Sequence, residues 1–574
     1  MRSGKSKKNV KVGLLNAIRS TASNSLDMIA ASALINVIAL AVPLTIMQVY
    51  DRIIPYNATG SLMWLILGAS IAVLFEAILK IVRDQIGAWI GARYEYKLSS
   101  HCFEQILRAD LDQVEDENLN TLMEKLASVA TLRSSYCQKI YTSLLDLPFA
   151  FIYVATIWII FPKLAYFVAI IAAILCLTSI LSRPIYRRIK FSHHAISNNR
   201  LNYVIDSIKK IHLIKAFSFE EQMLRKFEDD QYKLSAQDQR VNLALSLPSD
   251  FHAMIGQLTL FGALIVGAAA VIDGSITIGV LVTGMLLSSR AIQPFQSLSA
   301  QWIKFGDVDI AREKIDELAN LVPMRAYNNL SPNDIDGGLE IKGVSYCYGQ
   351  ARDDVILGLN LEIMPREFIA FTGHNFIETS TLLEILSGIR KANIGTITIE
   401  GHNLEYLDRD ELGKVVEYVP LNASILRGSI LDNIARFNPE NRLTARQMAD
   451  NLNLDQWASK LAKGYNTMID RESHAILPNS FIQLMSLARA LVANPKILFI
   501  DRLDVGLDQE GKFNLKNTLA QLKGQCTVVL VSEDSELLGL ASKVFRFEGN
   551  SAYEMKSSGA ALEDRSSFAE YWSA

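Results

Sequence analysis

The stretch Phe371–Leu386, FTGHNFIETSTLLEIL, runs from the end of an apolar strand through a turn into a helix. The phosphate-loop pattern G-x-x-x-x-G-K-[ST] can be laid over it from Gly373. The closing glycine then falls on Glu378, the lysine on Thr379 and the serine on Ser380. A loop with half its motif missing is a weak signal by itself, so its surroundings have to decide what it is. On either side, LEIKGVSYCY (Leu339–Tyr348), EFIAFTG (Glu367–Gly373), TITIEG (Thr396–Gly401), EYVPL (Glu417–Leu421), KILFID (Lys496–Asp501) and CTVVLVS (Cys526–Ser532) read as strands. FIQLMSLARALVAN (Phe481–Asn494) reads as a helix. This alternation predicts an α/β domain with a largely parallel sheet over 339–550. It follows a turn-rich linker at 321–338 and precedes a polar tail at 551–574 with one short helix.

The chain has 574 residues, too many for one ordinary core. Half are hydrophobic although 20% are charged, which suggests long apolar segments attached to a normal globular part. Six stretches have the length and apolarity of membrane helices: Leu26–Val49, Leu62–Val82, Leu144–Phe161, Leu164–Leu181, Met254–Ile272 and Thr277–Leu287 with its continuation. Arg290 and Pro294 interrupt the last, which makes it the weakest. Short turns join them in pairs, and two loops of about 60 residues separate the pairs. Residues 183–240 hold twelve Lys and Arg, whereas the turns near Arg52, Lys163 and Asp273 hold one, one and none. The long loops and the basic segment 1–25 are therefore placed in the cytosol. The helical periodicity within those loops extends the 26–320 domain beyond the bilayer. Glu76, inside the second span, marks either a substrate path or an acid facing the bundle interior. A net charge of −3 gives no push toward nucleic acid. Cys102, Cys137, Cys176, Cys347 and Cys526 are scattered and read as reduced packing residues. His193 and His194 lack the spacing of a helical zinc pair.

Six spans, long cytosolic helices and then an α/β domain with a phosphate-loop-like turn resemble an ABC exporter half-transporter. MQVYDRIIP (Met47–Pro55), IHLIKAF (Ile211–Phe217) and SRAIQP (Ser289–Pro294) are similar to the membrane domain of type I secretion exporters, the protease and haemolysin group. The resemblance is to the shorter type, without a peptidase-like domain ahead of the first span. It implies ATP and Mg²⁺ as cofactors, with the adenine-stacking aromatic at Tyr348 and the phosphate loop on Gly373–Thr381. Ser380 and Asp501 would hold the metal. The same resemblance places the linking glutamine on Leu421, the L-S-G-G-Q signature on LPNSF (Leu477–Phe481), the catalytic glutamate on Arg502 and the switch histidine on Glu533. Asp508 of the loop after the acidic strand is retained.

Each departure has a chemical meaning. Phe376 and Glu378 replace glycines whose backbone N–H groups would curl around phosphates. Thr379 removes the cation and Glu378 adds an anion; two like charges 4 Å apart cost about 4 kcal/mol at an effective dielectric of 20. Arg502 cannot serve as a base toward water, and Glu533 cannot donate to a γ-phosphate. The expectation is a vestigial site formed by Tyr348, Gly373, Ser380, Thr381 and Asp501, with catalysis lost at Thr379, Arg502 and Glu533. The chain would then be a pseudo-ATPase half-transporter in the bacterial inner membrane, exporting a polypeptide beside an intact homologue. A homodimer is the other assembly. A periplasmic adaptor and an outer-membrane channel would be its neighbours, as the resemblance implies. An active ATPase with divergent motifs and a membrane regulator that transports nothing are the competing readings.

Overall fold

The computed structural model describes residues 25–115, 117, 119–134, 141–321, 335–348, 354–373, 375–469, 477–548 and 551–555. The chain divides into two compact units, one of residues 1–108 and 117–321, the other of 109–116 and 322–574. The basic N-terminal segment and the predicted helix of the tail lie outside the described residues.

The first unit is all helix among its described residues. Its longest elements are Thr59–Arg108, Pro162–Lys209, Glu220–Ile272 and Ile278–Ala319. At about 1.5 Å per residue such helices are more than twice as long as a bilayer core of about 30 Å. Five helices are long and apolar enough to cross a membrane, and Leu145–Ile160 is a shorter apolar helix. Of the five, Ile278–Ser299 is the least apolar, in keeping with its interruption by Arg290 and Pro294. Ile278–Ala319 continues through Pro294 as one helix. The third stretch lies in the helix Tyr141–Ile160 and carries Asp146, which accepts from Arg83 at 3.0 Å.

The conspicuous acid of MQVYDRIIP caps another helix. Asp51 lies in a short π-helical turn, Val49–Ile53. It accepts from Thr277 Oγ1 at 2.8 Å and from the Gly279 N–H at 3.0 Å, across the start of Ile278–Ala319. A carboxylate there satisfies an orphan donor and opposes the positive end of the helix dipole. The cysteines described in the structure, Cys102, Cys176, Cys347 and Cys526, are free thiols. No metal cluster occurs among the described residues, and His193 is instead hydrogen-bonded to Asp238 at 2.6 Å.

The second unit carries strands β1 (Leu339–Tyr346), β2 (Ile356–Ile363), β3 (Phe368–Thr372), β4 (Ile394–Ile399), β5 (His402–Asn403), β6 (Val416–Val419), β7 (Gly428–Ser429), β8 (Met468–Ile469), β9 (Ile497–Asp501), β10 (Thr527–Val531), β11 (Lys543–Glu548) and β12 (Ser551–Met555). The central sheet has the order β12-β11-β3-β10-β9-β6 and is parallel except at β12. Alternation along its strands feeds two cores. Phe368, Ala370, Leu498, Ile500, Val528 and Leu530 face one, while Ile369, Phe371, Ile497, Phe499, Val529 and Val531 face the other. A second, antiparallel sheet has the order β2-β1-β4-β5. Two strands read as part of a parallel sheet, β1 and β4, thus belong to an antiparallel one, completed by β2. Part of the expected tail, Ser551–Met555, pairs with β11 as an edge strand.

Candidate functional site

The loop Gly373–Thr381 leaves the end of β3, Asp501 and Arg502 leave β9, and Glu533 follows β10. Since β10 lies between β3 and β9, the same ends of three neighbouring parallel strands deliver all three segments to one place. In open α/β sheets this is where ligands bind.

The three positions to which the resemblance assigns catalytic roles, Thr379, Arg502 and Glu533, meet there. Arg502 is 1% exposed. Its Nη2 donates to the Gly373 carbonyl at 2.9 Å and to Thr379 Oγ1 at 3.5 Å. Its Nη1 donates to Glu533 Oε1 at 3.2 Å. The residue has φ of 47°, in the left-handed region that a long side chain enters only when its surroundings hold it there. Thr379, Arg502 and Glu533 are thus one connected arrangement.

The following helix, Phe376–Leu386, begins with Asn375 as its N-cap. The Asn375 Oδ1 accepts from the Ile377 N–H at 3.2 Å, and Nδ2 donates to Glu378 Oε1 at 2.6 Å. Glu378 is buried in the first turn. A helix N-terminus attracts an anion, and here the chain supplies its own.

Asp501 is buried, and Tyr418 donates to its Oδ2 at 3.3 Å while Oδ1 has no partner. Burial pushes its carboxyl above the ordinary range, against the opposing pull of Ser380, Tyr418 and Arg502. The Tyr348 hydroxyl lies 2.6 Å from Thr381 Oγ1 on the helix Phe376–Leu386. The Arg390 guanidinium lies 5.0 Å from the centre of the Tyr348 ring. Arg390 is itself buried, donating to Glu384 at 2.8 Å, to Glu115 at 2.8 Å and to Asp112.

The proposed site residues therefore divide into neighbours. Gly373, Thr379, Arg502 and Glu533 form one group, Ser380 and Asp501 a second, and Tyr348 and Thr381 a third. Leu421 lies at a further contact, with the helix that follows the start of LPNSF. Gln483 Nε2, on the helix Asn479–Val492, donates to the Leu421 carbonyl at 3.4 Å. Phe481, at the end of LPNSF, is buried in the core. Tyr418 and Arg390 escaped the sequence reading. Tyr418 sits inside the quoted EYVPL and its alternation signals only a strand, while nothing in the local sequence singles out Arg390.

Residues 27–295 match the family model of the ABC transporter transmembrane region, and residues 356–502 match the model described as ABC transporter. The leukotoxin translocation ATP-binding protein LktB of Mannheimia haemolytica is 26% identical over 529 residues, covering 91% of this chain and 74% of LktB. LktB from a Pasteurella haemolytica-like strain is 25% identical over 552 residues, 95% of this chain and 77% of that protein. Among solved structures, a bacterial Atm1-family ABC exporter with ATP bound matches with a TM-score of 0.80 at 16% identity, over 93% of this chain and 95% of that one. With a membrane domain and then an ABC domain in a single chain, the protein belongs to the ABC exporters as a half-transporter homologous to LktB.

Proposed function

We propose that this chain is a non-catalytic half-transporter of a type I secretion exporter, working beside an ATPase-competent homologue. The observation that carries the reading is Arg502, whose buried guanidinium joins Gly373 and Thr379 of the loop to Glu533. A Mg²⁺-bound triphosphate requires a cation at position 379, curled backbone donors and room for negative charge. Here the Gly373 carbonyl faces a guanidinium, and Glu378 places a carboxylate in the first turn of the helix. Arg502 brings a positive charge back beside Thr379, which favours weak nucleotide binding without hydrolysis as a second reading. Glu533 already pairs with that charge, however, so a triphosphate would have to displace it. The residues do not fit the nucleotide, and no reaction step runs through it.

Two cassettes of ABC exporters close on ATP held between one loop and the other subunit's signature, as the family resemblance implies. This chain is disabled on both sides, so a homodimer would be inert. A heteromer with an intact subunit would keep the export path and alter both composite sites. The positive-inside asymmetry supports a cytosolic N-terminus and a cytosolic cassette over 339–550. Inner-membrane location, a periplasmic adaptor, an outer-membrane channel and a polypeptide cargo are inferred from the secretion family.

Two measurements test the reading. Titration of the purified full chain with Mg-ATP, beside an intact relative, should show at least a hundredfold weaker binding and no vanadate-sensitive hydrolysis. Hydrolysis that disappears in Asp501→Asn would sink the pseudo-ATPase assignment. Co-purification should recover an intact ABC half-transporter with this chain in nanodiscs; recovery of the chain only with itself would refute the pairing.

A further inference from the structure

Glu76 is buried in the helical unit and faces the bundle interior. It accepts from Lys80 Nζ at 2.5 Å and pairs with Arg290 Nη1 at 3.5 Å, both through the same oxygen, Oε1. About one turn further along the same helix, Arg83 donates to Asp146 at 3.0 Å and to Ser32 Oγ at 3.2 Å. Asn36 donates to Asp146 at 3.0 Å. Arg83 has its own counterion in Asp146, and its side chain is 11% exposed. Lys80 and Arg290 differ, because they share one carboxylate while their side chains remain 46% and 36% exposed. One positive charge is left without a counterion among these groups.

The placement of that charge matters. Counting from Leu62 at about 1.5 Å per residue, Lys80 lies about 27 Å along the helix, close to the far edge of a hydrocarbon core of about 30 Å. Both side chains are long enough to extend their charged heads to the interface. Around Lys80, Leu74, Phe75, Ile78, Ile81 and Val82 are all exposed, a surface suited to acyl chains rather than to water.

We propose that Lys80 and Arg290 bind the phosphate of an anionic phospholipid in the leaflet at the Arg83 end of the spans. The recognised chemistry is a phosphate oxygen between an ammonium and a guanidinium, completing the neutralisation that Glu76 begins. Free inorganic phosphate has the same headgroup chemistry, but it cannot cover the apolar strip beside Lys80.

The test uses the purified full-length chain. Phosphatidylglycerol added to detergent micelles should raise its melting temperature, whereas phosphatidylcholine should not. In nanodiscs made from an equal mixture, phosphatidylglycerol should be retained several-fold over phosphatidylcholine. The double variant Lys80→Gln with Arg290→Gln should lose both effects, and Lys80→Arg with Arg290→Lys should keep them. If the double variant does not fold, Lys80→Gln alone, which leaves Glu76 its Arg290 partner, should reduce retention. Unchanged retention in either glutamine variant overturns the site. An equal melting shift with millimolar inorganic phosphate overturns the lipid as its occupant.

Discussion

Arg502 shows how a side chain unsuited to one role can be held firmly in another. A buried guanidinium is costly unless its donors find acceptors, and here they reach the Gly373 carbonyl, Thr379 and Glu533. Truncation removes the cation and leaves the Gly373 carbonyl without its partner. Arg502→Ala should therefore destabilise the cassette by about 3 kcal/mol, the low end for a broken buried ion pair because Glu533 is half exposed. Chemical denaturation followed by tryptophan fluorescence checks this. Asp501 should behave in the opposite way. Burial raises its carboxyl pKa in the folded state, so the native form binds more protons than the unfolded form. Its contribution to stability is present below the unfolded value of about 3.9 and is lost as pH rises through the folded value. Asp501→Asn should therefore melt with the parent near pH 4 and a few degrees above it at pH 7.

At the scale of elements, helix ends and strand ends are held by identifiable carboxylates. Glu400 has φ of 48°, and its Oε1 accepts from the Asp336 and Gly337 N–H groups at 2.7 and 2.8 Å. It thereby fixes the residues immediately before β1. Glu400→Ala should cost about 1–3 kcal/mol for the unsatisfied donors, and hydrogen exchange should rise at 336–338 first. Asp51→Ala should cost about 0.5–2 kcal/mol, the usual loss for an N-cap, read as a lower melting temperature in detergent. The elements themselves were mostly legible. Apolar length marked the membrane helices, and the alternating apolar runs marked β1, β3, β4, β6, β9 and β10. β2 was not read, because ILGLNLEI is broken by Gly358, and its place is set by pairing with β1. The antiparallel sheet was also hidden, since strand direction depends on partners distant in sequence.

In the whole molecule, the two domains differ in how they can be restored or tested. On the proposed assignment, Glu378→Gly with Thr379→Lys should recover part of the nucleotide affinity without turnover, because Arg502 would remain in place of the base; Mg-ATP titration and phosphate release separate the two. The sequence by itself determined the order of a helical membrane domain and an α/β cassette, through periodicity and apolar length, which are local properties of the chain. Counting the family's motifs along the strand frame also gave the expectation that Thr379, Arg502 and Glu533 are departures. Only the tertiary structure decided that these three departures touch. They lie on three separate segments, brought together because β10 lies between β3 and β9. Contact between side chains so far apart in sequence depends on strand order, and strand order is fixed by the packing of both faces of the sheet.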